Sequence, residues 1–207
     1  MSLASRVSEL RPSPTLAMTA RARAMRDAGH DVISLAAGEP DFNTPSSICD
    51  YAIDAIRTGK TKYTASSGIP ELKSEIAKKL ARDSGIEAKP AEIVVSCGAK
   101  HSIYNACMAL VNPGDEVILI APYWMTYAEQ VRLAGGEPVV IHTAAENGFS
   151  PTVEQLRAAV SPKTAAIIIN SPSNPTGAVL PANILAEIAH LANKHEFWVI
   201  SDEIYER

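Results

Sequence analysis

Short apolar runs alternate with amphipathic stretches through most of the chain. Ile48, Ala52, Ala55 and Ile56 recur at helical spacing between Thr44-Pro45 and Gly59, which predicts a helix punctuated by proline at its start and glycine past its end. A second helix is predicted from near Pro70, with Leu72, Ile76 and Leu80 on one face, to near Gly85. Five runs follow, Ile93–Ser96, Val117–Ala121, Pro138–His142, Ala165–Asn170 and Trp198–Ser201, rich in Val and Ile and apolar at successive positions rather than alternate ones. That pattern reads as parallel strands buried on both faces. Between the runs lie helical stripes: Ile103, Cys107 and Leu110; Val153, Leu156 and Val160; Leu185, Ile188 and Ala192. Parallel neighbours need long crossover connections, usually helical, so repeated βαβ units and an α/β fold with a mostly parallel sheet are expected. The first forty residues differ, with Pro12, Pro14 and Pro40 and one basic helix around Thr15–Gly29. The expected division is an N-terminal arm and small-domain segment over 1–44 and a large domain over 45–207.

Composition narrows the class. A chain of 207 residues that is 46% hydrophobic buries a sizeable core without disulfides or metal, which excludes a disordered or fibrous protein. The net charge is −4 with basic residues scattered, so neither nucleic acid nor an anionic membrane is an expected partner. Cys49, Cys97 and Cys107 are odd in number and lack C-x-x-C spacing, which favours small buried hydrophobes in a reducing cytoplasm over a disulfide framework. Arg6, Glu9 and Arg11 interrupt the N-terminus, so no signal peptide is expected there, and no run reaches the ~18 apolar residues of a membrane span.

Ligands of open α/β sheets bind at the carboxyl ends of the strands, and the loops there carry unusual chemistry. Ser96-Cys97-Gly98-Ala99-Lys100 leads into a helix, and a glycine turn at a helix N-terminus offers free N–H groups to a phosphate, although a plain strand-to-helix turn explains it as well. Tyr123-Trp124 is compatible with a stacking wall or with core packing. Asn170-Ser171-Pro172-Ser173-Asn174-Pro175-Thr176-Gly177 is a rigid loop suited to fixing a hydrogen-bonding Asn174, with a cis X–Pro bond compatible with the sequence. Asp202, directly after an apolar strand, is expected to be partly buried and to need a partner; a helix cap is its commoner use. Ala36–Phe42 and Gly59–Tyr63 are loops with an anion-binding and a basic-aromatic reading, each matched by an ordinary turn.

Taken together the blocks AAGEPDF (36–42), KTKY (60–63), GIPEL (68–72), NPGDEV (112–117), APYW (121–124), NSPSNPTGA (170–178) and SDEIYE (201–206) resemble the fold-type I pyridoxal-phosphate-dependent aminotransferases of class I/II, in particular the bacterial aspartate aminotransferase-like group. The resemblance implies a three-layer sandwich and pyridoxal 5′-phosphate as cofactor. It implies that the phosphate sits on Gly98, Ala99 and Lys100, that Trp124 stacks on the pyridine ring, and that Asp202 pairs with the protonated ring nitrogen. Asn174 and Tyr205 would bond the ring hydroxyl oxygen, and Tyr63 would reach the phosphate of the other subunit of a homodimer. Gly38, Trp124 and Asn174 are implied substrate contacts, with Lys100 for a distal carboxylate and Arg11 associated with prephenate use.

The implied reaction moves an amino group from L-aspartate, with glutamate or prephenate as further candidates, to 2-oxoglutarate or another 2-oxo acid. In the family, the Schiff-base lysine and the arginine that clamps the α-carboxylate lie downstream of the block matching 201–206. The expectation is therefore that no catalytic residue lies within the chain, that the C-terminal half is absent, and that the large domain is incomplete at Arg207. Two alternatives stand beside the aminotransferase: a non-catalytic module that holds the cofactor without that lysine, and an α/β nucleotide-binding protein using the Gly98 turn. The second is disfavoured because no acidic ribose-binding residue follows that turn at a suitable distance.

Overall fold

A computed structural model describes residues 4–8, 10, 14–36 and 38–206. In chain order these hold α1 (Ser5–Ser8), α2 (Pro14–Asp27), α3 (Ser46–Arg57), α4 (Pro70–Ser84), α5 (Ala99–Leu110), β1 (Glu116–Ala121), α6 (Thr126–Leu133), β2 (Glu137–His142), α7 (Val153–Ala159), β3 (Thr164–Asn170), α8 (Ala182–His195) and β4 (Trp198–Asp202). They fall into two compact units, one from the described residues of 12–95 and one from those of 1–11 and 96–207.

The second unit contains the sheet. Its four strands are parallel and ordered β2-β1-β3-β4, with Ile118 opposite both Val139 and Ile167, and Ile168 opposite Ile200. Successive side chains of a strand point to opposite faces. Val117 and Leu119 of β1 and Ala166 and Ile168 of β3 therefore pack with Ile103, Cys107, Tyr127, Ala128 and Val131 of α5 and α6. Ile118, Ile167 and Ile169 point the other way and pack with Leu156, Ile184, Ile188 and Leu191 of α7 and α8. A sheet covered by helices on both faces is the three-layer sandwich that the unbroken apolar runs predict, and each fully buried Ile or Leu in it contributes about 1.5–3 kcal/mol.

Local signals set the ends of these elements. Thr152 caps α7 by accepting the Gln155 N–H at 3.2 Å, while Gln155 accepts the Thr152 N–H at 2.9 Å, a reciprocal capping box. The turn into β2 requires glycine at 136, because a Cβ there would lie 2.5 Å from Val111 Cγ1 and 3.1 Å from the Asp115 carbonyl. The helices predicted around Thr15–Gly29, after Thr44-Pro45 and near Pro70 correspond to α2, α3 and α4.

Four features differ from the sequence reading. Ile93–Ser96 is not a strand: Ile93 closes a 3-10 turn at Pro90–Glu92, Val95 N–H donates to the Ser67 carbonyl at 3.0 Å, and Val94 is 64% exposed. An apolar run becomes a strand only where a neighbour supplies a ladder. β4 pairs with β3 alone among the described residues, and its Trp198 and Val199 are exposed rather than covered on both faces. Helix α6 fills a crossover that the βαβ reading makes helical, yet it shows no clean apolar stripe, because Glu129, Gln130 and Arg132 dilute it. Cys49 and Cys97 are exposed, and only Cys107 is the buried hydrophobe that composition favours.

Candidate functional site

Three loops at the carboxyl ends of β1, β3 and β4 and the first turn of α5 surround a cavity of about 120 Å³. Its walls are Ala99, Lys100, Trp124, Tyr127, Asn170, Asn174, Asp202, Ile204 and Tyr205. All belong to the 96–207 unit.

Asp202 is the last residue of β4 and only 7% exposed. Its carboxylate is fixed at both oxygens: the Tyr127 hydroxyl donates to Oδ2 at 2.6 Å and the Ile204 N–H donates to Oδ1 at 3.1 Å. Burial, reinforced by the hydrogen bond to Asp202, holds the Tyr127 hydroxyl far above the ordinary tyrosine range, so it remains a donor. Among the described residues no cation pairs with Asp202. A buried carboxylate with two neutral donors and no positive partner favours a cation entering the cavity.

The β3 loop is tied to the same corner. Asn170 Nδ2 donates to the Asp202 carbonyl at 2.8 Å, and the Asn174 N–H donates to Asn170 Oδ1 at 2.7 Å. Asn174 Nδ2 then donates to the Tyr205 hydroxyl at 3.2 Å. Gly177 N–H to Ser173 O at 2.7 Å and Ser173 N–H to Ala178 O at 2.9 Å close the loop, in which Ser171–Pro172 and Asn174–Pro175 are cis. An amide and a phenol thus stand beside the carboxylate, each with hydrogens to spare for a ligand oxygen.

Across the cavity Gly98 caps α5 at φ +83°, a backbone state that glycine adopts without strain. The first N–H groups of a helix have no intrahelical acceptor and carry the positive end of its dipole, so the turn at 98–100 suits an anion. Lys100 adds its ammonium, which lies 5.0 Å from the centre of the Trp124 ring. Tyr127 meets Trp124 edge-on at 5.4 Å and 88°, fixing the indole that walls the cavity.

The structure therefore brings Ala99, Lys100, Trp124, Asn174, Asp202 and Tyr205 to one cavity, with Gly98 capping the helix that supplies part of its wall. Gly38 and Tyr63 belong to the 12–95 unit, where both are exposed. Arg11 lies outside the described residues. Sequence reasoning missed Tyr127 and the part played by Asn170. Tyr127 stands three residues after Trp124, on the face of α6 that packs under it, but nothing in the pattern separates such a tyrosine from a core aromatic.

Residues 30–207 match the family model of aminotransferases of class I and II. The aspartate aminotransferase of Geobacillus stearothermophilus is 53% identical over 207 residues, covering 100% of this chain and 53% of that protein. The aspartate/prephenate aminotransferase of Thermus thermophilus is 46% identical over 204 residues, covering 99% of this chain and 53% of that one. The solved structure of Thermus thermophilus aspartate aminotransferase with maleate superposes with a TM-score of 0.96 at 46% identity, covering 100% of this chain and 54% of that chain. The chain thus spans about half the length of the curated relatives it matches. With the family model matched over most of its length and relatives about half identical, the chain belongs to the aminotransferases of class I and II, a pyridoxal-phosphate-dependent family of fold type I.

Proposed function

We propose that the cavity binds pyridoxal 5′-phosphate and serves an aminotransferase that takes its amino group from L-aspartate and passes it to 2-oxoglutarate or another 2-oxo acid. The observation that carries this reading is the buried Asp202 carboxylate, oriented at both oxygens and lacking a cation among the described residues. A protonated pyridine nitrogen is the cation the site lacks, and each carboxylate oxygen keeps a lone pair to accept its N–H. The other walls fit the same molecule. Trp124 offers a flat apolar face, Asn174 and Tyr205 offer donors to a ring hydroxyl oxygen, and the first turn of α5 offers N–H groups to a phosphate.

When bound, the cofactor supplies an electron sink, which is strongest while its ring nitrogen is protonated. Asp202 would accept the N–H of that protonated nitrogen as its anionic partner, while Tyr127 stays protonated and keeps the carboxylate aimed. Lys100 is proposed to meet the distal carboxylate of a dicarboxylic substrate, in keeping with the maleate in the solved relative, and Gly38 to give its N–H to the α-carboxylate. The relatives named aspartate/prephenate aminotransferase support prephenate, and glutamate stays within the proposed range, with Arg11 as the proposed prephenate contact. A homodimer in which Tyr63 reaches the neighbouring phosphate, and a cytoplasmic location, complete the reading.

Titration with pyridoxal 5′-phosphate, followed by the circular dichroism induced in the cofactor band, tests the main reading. The expected result is saturable binding that Asp202→Ala weakens roughly 10- to 150-fold, the range that corresponds to a charge-assisted hydrogen bond of about 1.5–3 kcal/mol. Equal affinity in the variant would overturn it.

A further inference from the structure

Gln130 is 4% exposed, and its Oε1 is buried without a hydrogen-bond partner in the described structure. An apolar side chain of similar volume would leave nothing unsatisfied at this place, so the amide needs a reason. Its other end supplies one: Nε2 donates to the Lys100 carbonyl at 2.7 Å. That carbonyl belongs to the first turn of α5, the turn proposed above to take the cofactor phosphate.

Tyr127 and Gln130 are three residues apart on α6 and share a face. Tyr127 reaches Asp202 at the end of β4, and Gln130 reaches Lys100 at the start of α5. One buried helical face thus grips both ends of the cavity. We infer that Gln130 is a positioning residue that holds the first turn of α5 at the separation from Asp202 that a phosphorylated pyridine requires. It touches neither ligand nor reacting atom; it fixes the orientation of the N–H groups that do. The inference rests on the cofactor reading and deepens it by assigning the phosphate increment of affinity to a contact outside the cavity wall.

The increment is measured as the ratio of the dissociation constants of pyridoxal and pyridoxal 5′-phosphate, each followed by induced circular dichroism. Gln130→Leu and Gln130→Met keep the volume and helix propensity of the side chain and remove the donor. The expected result is a ratio about tenfold smaller in both variants, equivalent to about 1.4 kcal/mol, with pyridoxal affinity unchanged. Two variants guard against one of them packing badly, and an unchanged far-ultraviolet spectrum verifies the fold of each. Loss of affinity for both ligands in equal measure, or no change in the ratio, would overturn the positioning role while leaving the cofactor reading intact. Failure of the unsubstituted chain to bind pyridoxal 5′-phosphate would sink the cofactor reading and this inference with it.

Discussion

The two compact units carry the same kind of apolar periodicity and bury it differently. In the 96–207 unit the apolar stripes of α5, α7 and α8 are buried against the sheet, and Leu119 has 0% of its surface exposed. In the 12–95 unit α3 has an equally clean stripe, yet no residue of α3 or α4 is buried, and Ile56 is 66% exposed. Periodicity and end signals determine that a helix forms; a second surface determines whether its stripe stabilises anything. The sheet supplies that surface on both of its faces, and the candidate cavity lies where its strands end.

Paired truncations can break this contrast. Leu119→Ala is expected to cost about 2–5 kcal/mol, through lost burial and the cavity it leaves, whereas Ile56→Ala should cost well under 1 kcal/mol. Urea denaturation monitored by far-ultraviolet circular dichroism measures both, and similar losses would show that the stripe of α3 is covered after all.

A smaller effect comes from the thiols. Burial pushes Cys107 up to about 11 from an ordinary value of 9.0. The native thiol keeps its proton where the unfolded one has lost it, so stability is fully present below pH 9.0 and falls as pH rises toward 11. The loss attributable to Cys107 is of the order of 2 kcal/mol, and Cys107→Ala should remove it. At neutral pH an aromatic disulfide reagent should label Cys49 and Cys97 quickly, because both are exposed, and Cys107 only on unfolding. Prompt labelling of Cys107 would mean that the core between α5 and the sheet opens readily.

Much of the cavity was legible in the sequence because many of its residues sit at strand ends, in the loops after them or at a helix start, where their types are unusual. Asn174 lies between prolines, Asp202 follows an apolar strand, and Gly98 opens a helix. Tyr127 and Gln130 were not legible, since each reads as an ordinary member of a helix and acquires its role only when β4 and α5 arrive beside it. Ile93–Ser96 departs from the strand reading for the same reason: the run is apolar, and among the described residues no ladder partner lies beside it. Local chemistry is written in the chain, whereas partners distant along it are set by the topology of the sheet.

The most direct measurement of the central claim is the nitrogen-15 resonance of ring-labelled pyridoxal 5′-phosphate bound to the chain, followed as pH is raised. A pyridine nitrogen that remains protonated well above the pH at which the free cofactor loses its proton, and that loses this protection in Asp202→Ala, is the predicted result. A bound nitrogen that titrates as in free solution, or one that the substitution leaves unchanged, would contradict the assignment of Asp202 and the account of the cavity built on it.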